Sequence, residues 1–289
     1  MKIATPLSRK AVLVSVNISA WTARKLDRKV TDRINNEHGA SKDAGRYNKL
    51  LIAAEHLSEL QGIVSKARTL HYSMTRPWAD EGPRILPNAL YAKFSDEFRT
   101  LKRDFEAASD RFAMAYPSFV AERKYALNGL FNAADYPDAE DIRSKFRLDL
   151  TVLPFPDAED FRSDLDADIV ADIKRELAAT SAKVVDNAMQ TTANDIIKVV
   201  GHMAAKLREY KTEDKKCFRD SLVENVRELA DLLPAFNLTN DPKLDAITQR
   251  IVTELCAEEP DSLRKNDQAR ASVAKSADDI VAAVGNLFA

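Results

Sequence analysis

The chain has 289 residues, 45% of them hydrophobic and 30% charged, which is enough apolar material to build a core and excludes a disordered tail-like protein. Seven glycines are few for this length, and Ala, Leu, Lys, Arg, Glu and Asp dominate; the balance favours helices over a β-sandwich or a nucleotide-binding α/β fold. A net charge of −2 gives no broad positive field of the kind that non-specific nucleic-acid binding uses.

Charge is nevertheless uneven. Residues 1–35 carry eight Lys or Arg against two Asp, and residues 135–172 carry twelve Asp or Glu against four Lys or Arg. Two exposed stretches of this kind could attract each other across a subunit contact, or be solvated surface with a local bias. The N-terminal apolar run is too short to cross a membrane and no export signal follows it, so the cytoplasm is the expected compartment. Cys217 and Cys256 lie in stretches that read as helical, with no CxxC spacing, and are expected to be reduced.

Along the chain, Val12, Val14, Val16 and Ile18 alternate as a strand with one buried face does. Phe146, Leu148, Leu150 and Val152 repeat that pattern, so a small two-stranded β element is expected to join the start of the chain to its middle. Between them, Leu50, Ala54, Leu57, Val64, Ala67 and His71 have helical spacing, which predicts a helix from an N-cap at Asp43 to about Ser73.

The segment from Thr75 to Pro87 holds three prolines and a glycine and reads as a stiff loop. Trp78, Arg76 and Arg84 on it are the candidate partner-contact residues; alternatively, Trp78 folds back over the helix ends. Phe98, Phe105, Phe112 and Phe119 then fall at seven-residue spacing, with Phe94 and Leu101 at complementary positions. This is the seam of a long helix facing another helix, with a kink or restart expected at Pro117.

After further prolines, Ser163 offers an N-cap for a helix from about Leu165 to Tyr210. Its apolar stripe is interrupted by Asn187, Thr191, Thr192, Asn194 and Asp195, a polar middle that faces solvent, sets register or bends the helix. Three shorter helices follow, over 216–233, 242–256 and 266–287. The expected architecture is mainly α, with a long helical hairpin or coiled-coil-like helices over 1–215 and a C-terminal helical bundle over 216–289.

The chain contains no phosphate-cradling glycine loop, no HExxH and no GxSxG. The four histidines are isolated in sequence, which leaves no local metal motif, and no catalytic residue, cofactor or metal is expected. Carboxylates from Asp157 to Asp168 lack the glycine and closing Glu of a calcium loop, and helix-start electrostatics accounts for them.

Short signposts carry a family resemblance: Ile18 to Leu26, Arg76 to Pro87, Tyr136-Pro137 with Phe146, then Leu153-Pro154-Phe155-Pro156 through Asp160-Phe161-Arg162. In their order they resemble the domain-of-unknown-function 3150 family of bacterial and phage proteins, over about residues 11–215. The resemblance brings no catalytic residues. It implies an adaptor or scaffold beside a MoxR-type AAA+ ATPase and a von Willebrand factor A-domain protein, in a host cytoplasm if phage-encoded. The expected function is a non-enzymatic, self-associating helical scaffold. The alternative is nucleic-acid binding through Arg24, Lys25, Arg28, Lys29 and Arg33, which must weaken steeply with salt.

Overall fold

The computed structural model describes residues 7–79, 81–158, 163, 166–210 and 218–287. In chain order the elements are β1 (Ala11–Ser19), β2 (Arg24–Leu26), α1 (Arg28–Glu37), β3 (Asn48–Leu50), α2 (Ala54–Ser73), β4 (Arg76–Pro77), β5 (Arg84–Pro87), α3 (Asn88–Leu127), β6 (Arg147–Pro154), α4 (Ala167–Glu209), α5 (Ser221–Phe236), α6 (Pro242–Arg250), α7 (Pro260–Lys265) and α8 (Asp267–Leu287). The protein is mainly α. The β content exceeds the expected pair of strands: one sheet has the order β4-β5-β1-β6 and a second joins β2 to β3.

The chain divides into two compact units. The first gathers 1–14, 74–92 and 152–289. Here β5 pairs antiparallel with β1 from Ala11↔Pro87 to Val14↔Arg84, and β4 pairs with β5. The expected loop over 75–87 is therefore a short hairpin. Of its prolines, Pro77 falls in the last pair of β4 with β5 and Pro87 in the first of β1 with β5, where a missing N–H costs the sheet least, while Pro83 lies just before β5; Ile85 and Leu86 are fully buried.

The core of this unit is the stripe of α4 from Val184 to Leu207, packed chiefly along α8 and α5. Ile196, Val200, Met203 and Ala204 are inaccessible, as are Val226 and Leu233 of α5 and Ala277, Ile280 and Val284 of α8. The expected boundary at 215/216 is thus corrected. The later helices share one hydrophobic core with α4, because an amphipathic helix must bury its stripe and α4 offers the complementary one. The expected cap at Ser163 moves to Asp166, and α4 extends for 43 residues, about 65 Å. The C-terminal helices are α5 to α8, with a turn of π-helix over Ile251–Leu255; Cys256 closes it, half-buried and outside any disulfide among the described residues, while Cys217 lies outside them.

The second unit gathers 15–73 and 93–151. Its centre is the phenylalanine row of α3. Phe94, Phe98, Phe105 and Phe112 are buried, whereas Leu101 and Phe119 are half-buried. The rings they meet are not a matching row on a second long helix: Phe94 tilts against His71, Phe119 stacks on His56, and Phe105 and Phe112 meet Phe146 edge-on. Early α2 thus lies by late α3 and late α2 by early α3, so the two run antiparallel. The row serves as a core against a 20-residue helix and the strand entrance at Phe146. Pro117 does not restart α3, which remains one helix of 40 residues.

The helix expected from Asp43 begins only at Ala54. Residues 48–50 are drawn out of it to pair with β2, from Arg24↔Leu50 to Leu26↔Asn48. Asp27 caps α1 instead, its carboxylate accepting from the Val30 N–H at 3.1 Å.

Candidate functional site

In the second unit the basic N-terminal residues meet on one turn. Arg24 and Lys25 are exposed on β2, and Arg28 and Lys29 are exposed in the first turn of α1. That turn holds no acidic residue, although a helix dipole favours acids there. Beneath them sits Lys49, whose strand alternation turns it inward until its side chain is 6% exposed. Its ammonium meets the carboxylates of Asp135 at 2.6 Å and Asp27 at 3.2 Å and donates to the Leu130 carbonyl at 3.2 Å.

Two carboxylates and a carbonyl surround the Lys49 ammonium, so this buried cation is compensated and serves as a structural tie. The hydrogen bond to Asp135 leads in holding its pKa above the ordinary lysine value. The Val30 N–H leads in holding Asp27 below the ordinary aspartate value. Lys25, Arg28 and Lys29 line an open hollow of about 730 Å³ over this tie. Beside it, Trp21, Tyr136, Arg24, Lys25 and Lys145 border a second hollow of about 430 Å³, together with Asp135, Asp138 and Asp141. The second hollow is balanced in charge; the surplus of positive charge belongs to the β2–α1 turn.

In the first unit the three residues expected at a partner-binding tip are drawn inward. Arg76 is 2% exposed. Its guanidinium donates to Thr192 Oγ1 at 2.9 Å and the Thr75 carbonyl at 3.0 Å, pairs with Asp195 at 3.1 Å, and lies over the Phe236 ring at 3.5 Å. Burial lowers its pKa to about 10, against the favourable charge of Asp195. Arg84 donates to the Thr75 hydroxyl at 2.7 Å and its carbonyl at 3.3 Å. Trp78 meets Phe155 edge-on and packs against the core, so the fold-back alternative describes it.

The polar middle of α4 acquires a reason here. Thr192 and Asp195 interrupt the apolar stripe because they receive Arg76 from β4. The sequence displays both halves of this centre but not their meeting, since 116 positions separate Arg76 from Thr192.

Among the described residues, one group combines ligands for a metal ion: Glu55, His56 and Glu122. Of the carboxylates noted between Asp157 and Asp168, Glu159, Asp160 and Asp164 lie outside the described residues. No helix among the described residues is long and apolar enough to cross a membrane. Comparisons with models of protein families, with curated proteins and with solved structures give no match.

Proposed function

We propose that this protein is a non-enzymatic helical scaffold or adaptor that associates with copies of itself through α4. The observation that carries the reading is the first half of that helix. None of its residues is buried before Val184, yet Ile169, Val170, Ile173 and Leu177 lie at helical spacing in a row that continues into the buried stripe; Ile169 is 47% exposed. Charge favours a second copy as the occupant. Asp166, Asp168 and Asp172 lead the segment and Lys174, Arg175 and Lys183 outnumber Glu176 after them, so an antiparallel pair sets a net acidic end against a net basic one. The resemblance in the signpost motifs adds a MoxR-type AAA+ ATPase and a von Willebrand factor A-domain protein as partner classes, in a cytoplasmic setting.

Size-exclusion chromatography with light scattering tests the self-association. The full chain should run as a dimer or larger at micromolar concentration, and Ile173→Asp with Leu177→Asp should return it to a monomer with an unchanged circular dichroism spectrum. A wild-type chain that stays monomeric defeats the reading.

A second reading is nucleic-acid binding, favoured by the joint exposure of Arg24, Lys25, Arg28 and Lys29 on one turn. A gel shift with duplex DNA and with single-stranded RNA should then show binding that falls steeply as salt rises and is lost in Lys25→Glu with Arg28→Glu. Absence of any shift at low salt removes this reading.

A further inference from the structure

We infer that Glu55, His56 and Glu122 form a binding site for a divalent transition-metal cation of the zinc type, bridging α2 to α3 within the second unit. One ligand atom from each lies within 4.8 Å of the others, and His56 Nε2 is 2.8 Å from Glu122 Oε2. Nothing in the local sequence announces the group, because 66 positions separate its histidine from Glu122.

Three observations make this more than a surface ion pair. The His56 imidazole lies flat on Phe119, with ring centres 3.9 Å apart and planes 12° from parallel, which fixes the ring and aims Nε2 at the carboxylates. A ligand held in its binding orientation before the ion arrives loses little freedom on coordination. Access is open, since the His56 side chain is 22% exposed and that of Glu122 is 49% exposed. Finally, the second carboxylate is surplus to a simple pair. Glu122 alone satisfies Nε2, and Glu55 brings a further anion to the same few ångströms.

The ligand chemistry selects the ion. Zinc takes imidazole nitrogen and carboxylate oxygen at about 2.0–2.2 Å, so two ligands on one ion stand roughly 3.3 Å apart in tetrahedral geometry. The 2.8 Å contact has to widen by only a few tenths of an ångström, and Glu55 is within a side-chain rotation. Magnesium and calcium prefer all-oxygen sets and gain little from the imidazole. Three protein ligands leave one position for water.

Calorimetric titration of the full chain with zinc chloride near neutral pH tests the site. One ion should bind per chain with a micromolar dissociation constant, and magnesium chloride at the same concentration should give no heat of binding. Glu122→Gln, which keeps the side-chain shape on an exposed position, and His56→Gln should each weaken zinc at least about tenfold. Zinc should also raise the unfolding temperature of the wild type and leave that of Glu122→Gln in place. No zinc binding up to millimolar concentration, or binding that both variants retain unchanged, overturns the site. The latter result assigns the ion to other groups such as His202.

Discussion

Asp195→Asn should lower the stability of the protein by about 2–4 kcal/mol, although the side chain it alters is 44% exposed. The loss falls on the partner. Arg76 is almost wholly removed from water, its other contacts are a hydroxyl, a carbonyl and an aromatic face, and Arg84 is a second cation close enough to oppose its charge. Without the carboxylate, a buried cation is left uncompensated, which is the costly way to break such a pair. The value is set below the range for fully buried pairs because water reaches Asp195 and screens it. Arg76→Met should cost less, about 1–2 kcal/mol, since a thioether can lie on Phe236 and Asp195 can turn to solvent. In the Arg76→Met background, Asp195→Asn should then cost almost nothing. Denaturant midpoints for the four proteins of this cycle decide the matter, and equal losses in the two backgrounds would show that the pair is not coupled.

Phe105→Ala should destabilise the second unit by about 3–5 kcal/mol, the range for truncating a large ring in a close-packed interior. Phe105 is 1% exposed and its ring meets Phe146, so the space it vacates is walled by side chains that α3 and the strand entrance hold in place. Met114→Ala on the same helix is the control: at 78% exposure it should shift stability by no more than about 0.5 kcal/mol. Thermal unfolding of both variants distinguishes a core row from an interface row. If the two lose similar amounts, the phenylalanines are not the centre of this unit.

What could be read from the sequence, and what could not, divides along the reach of the interactions. The phenylalanine row and the stripe of α4 announce themselves by periodicity, because a helix repeats its buried face every three or four residues. The strands that periodicity misses are two to four residues long and carry charge. β2 is Arg-Lys-Leu with all three exposed, and β3 buries only a lysine, so neither offers an alternation of apolar residues. Lys49 and Arg76 look like surface residues until the partners that neutralise them arrive from elsewhere in the chain. Trp78 and Arg76, read as a protruding tip, are drawn inward by Phe155 and by the polar gap in α4. The paired histidine and glutamate of α2 and α3 were hidden in the same way, by separation along the chain and not by unusual chemistry.

The first unit also fixes the order in which its parts can assemble. Lys10, beside β1, donates to the carbonyl of Leu238, 228 positions later, and α8, which covers the largest share of the α4 stripe, ends at Leu287. During synthesis α4 therefore emerges with Ile196, Val200 and Met203 unshielded, and their full cover waits for α8, more than 60 residues later. Closure over such distances makes maturation of this unit slow, and a chain stalled before residue 267 would present a greasy rod to whatever chaperone or protease meets it first.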